Sequence, residues 1–218
     1  MKCLWLLLLV FNWESVSGAE ELPVLATEDF ESGNLSRWTA TDPTAWNWEE
    51  ARGSHVLHQF RQSQVATPVR SPFNRAVLKG VPVRDFQLDV DLQTTTRDYP
   101  HRSLCLVFGY QDPTHFYYVH LGQQADDHAN QIFIVKEAPR IKISLTSTPG
   151  TPWDDQWHHV RIRRTVESGD IAVYFDQMEK PVMTARDTSL EWGAVGIGSF
   201  DDTGRFDNFV LRGVSAAR

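Results

Sequence analysis

The sequence predicts an all-β fold, a two-sheet antiparallel sandwich of the jelly-roll type. Helical periodicity is nearly absent, while short runs of alternating apolar and polar residues recur along the chain. Glycine, proline, asparagine and aspartate separate those runs, as the turns of an all-β protein require. No low-complexity tract or linker divides residues 20–218, so we expect one domain over that range.

The N-terminus has the pattern of a secretory signal peptide. Lys2 precedes an apolar run over residues 4–11, and small residues follow at positions 15–19. We therefore expect residues 1–19 to be removed and the mature protein to be secreted, in the periplasm or outside the cell. The apolar run is shorter than the ~20 residues of a membrane-spanning helix. No later run approaches that length, so membrane insertion is not expected.

Net charge disfavours two classes of partner, and cysteine content excludes an intramolecular disulfide in the mature protein. The formal net charge of −7 disfavours nucleic acids and anionic membranes, because both carry negative charge. Removal of the signal peptide takes Cys3 with it and leaves Cys105, so no intramolecular disulfide can form. We expect a monomer that is held together by its apolar core.

Strands can be placed in order along the chain from these alternating runs. Residues 85–92 alternate most clearly, and their apolar side chains are expected to face the core. Trp38, Trp46 and Trp48 lie in a segment that we expect to cross a sheet edge. Outside the central hairpin, the expected strands are residues 24–30, 55–60, 76–79, 85–92, 131–136, 140–146, 157–166, 170–176, 194–200 and 206–211.

A central β-hairpin is predicted from residues 103–110 and 115–122, around a turn at 111–114. If Tyr110 pairs with His115, Cys105 lies opposite His120. One face of the hairpin is then apolar and belongs to the core: Leu104, Leu106, Phe108, Tyr117, Val119 and Leu121. The other face is mixed and is predicted to form a groove: His101, Ser103, Cys105, Val107, Tyr118 and His120.

This groove is the candidate site for a carbohydrate. Aromatic rings such as Phe116 and Tyr118 stack on a sugar ring, while polar groups read its hydroxyls. The candidate substrate-binding residues lie on the hairpin, on the loop that follows it and on the next hairpin: His101, Arg102, Phe116, Asp126, His128, Asn130 and Arg140. We expect a glycan or polysaccharide as the partner.

Two other classes of function stay open at this point. In a glycoside hydrolase or polysaccharide lyase, Tyr118 and His120 would be the catalytic base and acid, with Arg102 or Arg140 holding an acidic sugar. His120, Asp126 and His128 have the chemistry of metal ligands, although their spacing matches no standard motif. A protein–protein adhesion module that uses its loops is the third alternative.

Several segments resemble the laminin G-like domains of the concanavalin A-like lectin/glucanase superfamily. The resemblance rests on the hairpin of residues 157–162 and 171–176, on Gly196-Ile197-Gly198 with residues 206–210, and on the opening residues 29–33. The chain is also similar to bacterial secreted domains that are labelled 3-keto-disaccharide hydrolase-like. The resemblance implies a concanavalin A-like jelly roll. It does not imply one activity, because this fold serves lectins, hydrolases, lyases and adhesion modules.

The resemblance also directs attention to two sets of carboxylates. Glycanases of the superfamily carry E-x-D-x-x-E on one strand, but here Asp89 and Asp91 are followed by Gln93, whose amide cannot protonate a leaving oxygen. In many jelly rolls of this kind the first and last strands are neighbours and hold a structural Ca²⁺. Asp29, Glu31 and Asp207 are the candidate ligands for such an ion. His158 and His159 are adjacent on a strand, so they point to opposite faces and are not expected to share a metal.

Overall fold

The computed structural model describes residues 21–216, so the predicted signal peptide at 1–19 lies outside the described residues. Within that range two antiparallel β-sheets form a sandwich, which confirms the predicted all-β jelly-roll class. One short 3-10 helix, Pro43–Ala45, is described; its first turn is capped by Asp42, whose side chain accepts from Thr44 N at 3.0 Å. Over residues 21–216 no helix is long and apolar enough to span a membrane.

The strands are labelled in chain order. They are β1 (Val24–Glu28), β2 (Trp38–Ala40), β3 (Trp46–Ala51), β4 (Ser54–Gln59), β5 (Asn74–Leu78), β6 (Val83–Thr94), β7 (Ser103–Asp112), β8 (His115–Gly122), β9 (Gln131–Lys136), β10 (Ile141–Lys142), β11 (Ser144–Ser147), β12 (His158–Arg164), β13 (Asp170–Phe175), β14 (Met183–Arg186), β15 (Ala194–Ser199) and β16 (Gly204–Ser215).

The described strands divide into a nine-stranded and a seven-stranded sheet. The nine-stranded sheet has the order β11-β14-β13-β12-β6-β16-β4-β3, and β1 also pairs with β16. The seven-stranded sheet has the order β10-β9-β8-β7-β15-β5-β2. The first and last strands are therefore neighbours, with Thr27 opposite Val210.

The core lies between the two sheets and follows the alternation of the strands. Phe86, Leu88, Val90 and Leu92 of β6 are all buried in it, as the sequence predicts. Each such side chain contributes about 1.5–3 kcal/mol when it is taken fully out of water. Because the described chain contains no disulfide and its cysteine is free, this burial holds the sheets together.

The strand prediction missed β2, β3 and β14 and was wrong at residues 140–146. The segment of Trp38, Trp46 and Trp48 does pass between sheet edges, because β2 ends the seven-stranded sheet and β3 ends the nine-stranded one. Residues 140–146 do not form one strand: β10 pairs with β9, and β11 pairs with β14 in the other sheet. The hydroxyl of Ser144 accepts from Ile132 N at 2.7 Å, so a side chain ends the β9–β10 ladder and the backbone is free to change sheets.

The central hairpin has the predicted register over most of its length. Cys105 lies opposite His120 and Phe108 opposite Tyr117. The predicted turn was wrong, because β7 continues to Asp112, which pairs with His115. A bulge around Gly109 absorbs the extra residues of β7, and Gly109 has a positive φ of 57° that favours glycine. The bulge compensates for the tighter turn, so the faces of the strands stay as predicted.

Candidate functional site

Most of the outer face of the seven-stranded sheet is covered. A second apolar cluster lies there, separate from the main core, and Val69, Phe73 and Tyr110 pack against it. Its members are Cys105, Val107, Phe116, Tyr118, Phe133, Val135 and Phe200. The prediction of an open groove along this whole face was therefore wrong over Cys105, Val107 and Tyr118, which are fully buried.

The face is open at the end of β7 and β8 where Ser103 and His120 lie. A cavity of about 520 Å³ is present there, and we call it the His120 cavity. Its lining consists of Arg70, Phe73, Tyr99, His101, Ser103, His120, Asp126, His128, Ala129, Arg140, Phe200 and Asp201. The structure thus brings together five of the predicted site residues: His101, His120, Asp126, His128 and Arg140.

His120 is the central polar group of this cavity. His120 is only 6 % exposed, and its ring stacks on that of Phe200 with 5.4 Å between the centroids. Neither ring nitrogen is within hydrogen-bonding distance and angle of a partner among the described residues, although the nearby backbone of His128 favours the protonated ring. Leaving a buried polar atom unpaired costs about 1–3 kcal/mol, so the His120 ring favours a polar group that can reach it from the cavity.

Burial also fixes the charge of His120. Desolvation, reinforced by the positive charge of Arg140, lowers the pKa of the His120 imidazole to about 3. The ring is neutral around pH 7 and presents one N–H donor and one nitrogen acceptor. A sugar hydroxyl can both accept and donate, so it is chemically complementary to this neutral ring.

Arg140 supplies a positive charge beside His120. Its guanidinium lies 4.2 Å from the centroid of Phe200 and 5.1 Å from that of Phe133, and it donates to Tyr118 Oη at 3.2 Å. None of the ion pairs among the described residues involves Arg140, so its position depends on aromatic faces. Arg70 lines the same cavity, and its carbonyl accepts from Arg140 N at 3.2 Å.

The rim of the cavity is a polar loop. Asp126 Oδ1 accepts from His128 N at 2.6 Å and from Ala129 N at 2.7 Å, which folds the loop into a turn. His101 Nδ1 lies 3.9 Å from Asp126 Oδ2. The side chains of His101 and His128 are exposed and can contact a ligand at the mouth of the cavity.

A buried aspartate holds another part of the cavity wall. Asp202 Oδ2 accepts from Ser103 N at 2.8 Å and from Ser103 Oγ at 3.0 Å, while Oδ1 accepts from Tyr99 Oη at 2.7 Å. Burial raises the pKa of Asp202 and also that of Tyr99. Tyr99, Phe73 and Phe200 were not predicted as site residues, because they come from separate segments that no sequence pattern connects.

The structure contradicts the roles predicted for two aromatic residues, Phe116 and Tyr118. Phe116 is fully buried in the outer apolar cluster, so it cannot stack on a sugar ring. Tyr118 is fully buried as well, and its hydroxyl accepts from Arg140. Burial raises the pKa of Tyr118 well above its ordinary value, so this hydroxyl is a poor base and has no direct route to a substrate.

Two polar predictions also fall outside the cavity. Arg102 is only 2 % exposed and donates to Asp154 O at 3.0 Å and Asp155 Oδ1 at 2.8 Å, so it fixes a loop and does not hold an acidic sugar. Asn130 donates to Thr148 O at 2.8 Å and accepts from Thr151 Oγ at 2.9 Å. Its left-handed backbone, with φ of 52°, explains why asparagine is suited to that position.

The predicted calcium ligands have other partners. Glu31 accepts from Ser54 Oγ at 2.6 Å and from His55 N at 2.7 Å, which lowers the pKa of Glu31 to about 2. Asp207 accepts from Arg52 at 3.0 Å, and Asp29 accepts from Glu31 N at 3.2 Å. The described residues contain no group of three or more side chains suited to a metal ion. Of the three candidate ligands only Asp207 contacts a guanidinium, and the calcium assignment stays a prediction.

His120 and His159 should titrate at opposite ends of the pH scale. His159 lies between Asp89 at 3.0 Å and Asp91 at 2.9 Å, and these carboxylates raise its pKa to about 9. In an NMR titration of the labelled imidazoles, we expect the His159 midpoint near pH 9 and no transition for His120 between pH 5 and 8. A His120 midpoint near 6.5 would show that its ring is not desolvated in the cavity.

No protein-family model and no curated protein matches this chain. Among solved structures, it is similar to the carbohydrate-binding module CBM66 from Bacillus subtilis, with a TM-score of 0.57, 16 % identity and coverage of 81 % of this chain and 95 % of that one. It is also similar to domain 4 of AbnA, a GH43 extracellular arabinanase from Geobacillus stearothermophilus in complex with arabinotriose, with a TM-score of 0.58, 12 % identity and coverage of 91 % and 96 %.

A third similar structure is a protein of unknown function with a galectin-like fold from Bacillus subtilis, with a TM-score of 0.57, 12 % identity and coverage of 91 % of this chain and 99 % of that one. At these identities the similarity establishes a shared β-sandwich fold.

Proposed function

We propose that this protein binds carbohydrate in the His120 cavity. The observation that carries the proposal is the buried, neutral imidazole of His120, whose two ring nitrogens have no partner among the described residues. A sugar presents several hydroxyls that donate and accept at once. It can satisfy both nitrogens, whereas a purely apolar ligand would leave them unpaired.

The rest of the lining suits the same ligand. Phe73, Tyr99 and Phe200 give the cavity aromatic surface, against which the C–H faces of a sugar can pack. Ser103 and Arg140 add polar groups at defined positions. The volume of about 520 Å³ lies within the range of small-molecule sites.

The comparisons support this proposal through the names of the similar structures. One is a carbohydrate-binding module and another is a domain in complex with arabinotriose. We further propose that the chain is a concanavalin A-like domain and that it meets its glycan after export. The pattern of residues 1–19 and the resemblance of the closing strands support these two finer points.

Binding is preferred here to catalysis. The candidate base and acid do not meet at a substrate site, because Tyr118 is fully buried and does not line the His120 cavity. His120, with its pKa of about 3, binds a proton too weakly to be an efficient general base near pH 7.

Calorimetric titration of the purified protein with neutral and acidic oligosaccharides tests the proposal. We expect at least one class to bind without formation of reducing ends or unsaturated products. Arg140→Gln should weaken that binding about tenfold, because a charged donor is lost from the lining.

Arg163→Gln is the matched control for Arg140→Gln. Arg163 lies on β12 of the other sheet, where its guanidinium is near Tyr174 and donates to Gln87, so its loss should leave affinity unchanged. Absence of binding to every class, or equal loss in the two variants, would contradict a site at the His120 cavity.

A further inference from the structure

A second cavity opens on the outer face of the seven-stranded sheet, outside the site described above. It has a volume of about 360 Å³ and lies over β2, β5, β15 and the end of β7. We call it the Arg75 cavity; its lining consists of Thr39, Ala40, Thr41, Arg75, Val77, Leu78, Lys79, Gly80, Pro82, Tyr110, Gln111, Trp192 and Ala194.

Arg75 is a buried cation without a counter-ion. The residue is only 2 % exposed, and Nη1 donates to Ser71 Oγ at 3.2 Å and to Pro72 O at 2.6 Å. Its Nε has no partner, and none of the ion pairs in the described part of the chain includes Arg75. The guanidinium also lies 5.1 Å from the centroid of Phe116. A buried unpaired charge is costly, and burial accordingly lowers the pKa of Arg75.

The charge lining this cavity has a single sign. Lys79 is exposed at its edge, and neither aspartate nor glutamate lines it. Nearby acids have other partners: Glu191 pairs with Arg84 at 3.4 Å, and Asp112 lies 2.9 Å from His115 Nδ1. A positive cavity in a protein of formal net charge −7 attracts an anionic group locally.

The same cavity has an exposed aromatic wall. Trp192 is 47 % exposed, and its carbonyl accepts from Gln111 Nε2 at 3.0 Å, which ties its backbone to β7. Tyr110 is half-buried beside Arg75, and burial raises the pKa of its hydroxyl. An aromatic ring and two cations in one lining suit a ligand that carries both an apolar face and a negative charge.

We propose that the Arg75 cavity binds the carboxylate of an acidic sugar, with Arg75 and Lys79 on the carboxylate and Trp192 against the sugar ring. A guanidinium matches the two oxygens of a carboxylate geometrically. That the ligand is a sugar rests on the proposed function, whereas its negative charge follows from Arg75 and Lys79 themselves. Ser103 of the His120 cavity and Tyr110 lie about 23 Å apart along β7, so one acidic oligosaccharide can reach both cavities.

The test uses calorimetry at low ionic strength on the full chain. The ligands are trimers of galacturonate and of glucuronate, the corresponding neutral trimers, a sulfated trimer, and sodium acetate. We expect the uronate trimers to bind at least tenfold more tightly than the neutral ones, with the difference shrinking as salt is added. Sulfated trimers and acetate should bind more weakly than the uronates.

The variants separate this site from the His120 cavity. Lys79→Gln and Trp192→Ala should each weaken uronate binding about threefold. Lys180→Gln, an exposed lysine outside both cavity linings, should have no effect. Arg75→Gln should weaken binding at least tenfold, because a charged hydrogen bond is lost. If Arg75→Gln fails to fold, the uronate affinities of Lys79→Gln and Lys180→Gln are compared instead, and only the first should be weakened.

Four results would overturn the proposal: equal binding of uronate and neutral trimers, tighter binding of the sulfated trimer, acetate binding as tightly as the uronates, or no difference between the Lys79 and Lys180 variants. If Lys79→Gln weakens uronate binding while His120→Phe changes nothing, the Arg75 assignment stands and the His120 cavity is not the carbohydrate site.

Discussion

Replacing His120 by phenylalanine should weaken glycan binding at least tenfold while the protein stays folded. The substitution removes the donor and the acceptor that we assign to the ligand, and two hydrogen bonds of about 1 kcal/mol each amount to more than tenfold in affinity. The neighbours of His120 are the aromatic rings of Phe200, Tyr118 and Phe133, which accept another ring. Because the two unpaired nitrogens disappear, we expect the melting temperature to stay the same or rise.

Phe116→Leu is the matched control for this variant. Phe116 lies on the same strand and the same face as His120, but it is buried outside the cavity. We expect it to lose about 1 kcal/mol of stability and no glycan affinity. Loss of binding in Phe116→Leu together with full binding in His120→Phe would refute the assignment of the site.

Replacing Gly198 by alanine should destabilise the protein by at least about 3 kcal/mol. A Cβ at this position would lie 1.9 Å from the carbonyl oxygen of Asn74, which is backbone and cannot turn aside. Gly198 belongs to β15, which pairs with β5 and β7 in the middle of the seven-stranded sheet. The clash would also disturb Asn74, whose Nδ2 donates to Ser199 Oγ at 3.1 Å. Urea unfolding measures the loss.

Gly53→Ala is the control variant for the loss of stability in Gly198→Ala. Gly53 has a φ of 75°, but no atom lies within 4 Å of its added Cβ, so only backbone strain of about 1 kcal/mol is expected. If the two variants lost the same stability, the close approach of β15 to β5 would not be what requires glycine at position 198.

The G-x-G segment shows what the sequence could and could not reveal about the fold. The sequence singles out Gly196 and Gly198 only through a resemblance, and the structure supplies the physical reason for glycine at both positions. Both approach the backbone of β5 too closely for a Cβ, since one at Gly196 would lie 2.6 Å from Ala76 O. Strand alternation predicted the inward side chains of β6 and the pairing of Cys105 with His120, because the period of a strand is two and does not depend on its partners.

The covering of the outer face could not be predicted in the same way. Alternation states that Tyr118 and His120 share a face, but it does not state what lies on that face. Phe200 and the segment around Phe73 bury Tyr118 and leave His120 at a cavity, and both come from distant parts of the chain. Arg75 was not predicted for a different reason: it lies outside the strand expected over residues 76–79, and the apolar run that indicated that strand gives no sign of a cavity.

A crystal structure of the protein with the most tightly bound oligosaccharide tests the central claim most directly. The proposed function predicts a sugar residue in the His120 cavity, with a hydroxyl within hydrogen-bonding distance of a His120 ring nitrogen and a ring face near Phe200. An oligosaccharide bound on the outer face of the nine-stranded sheet, with His120 still unpartnered, would contradict it.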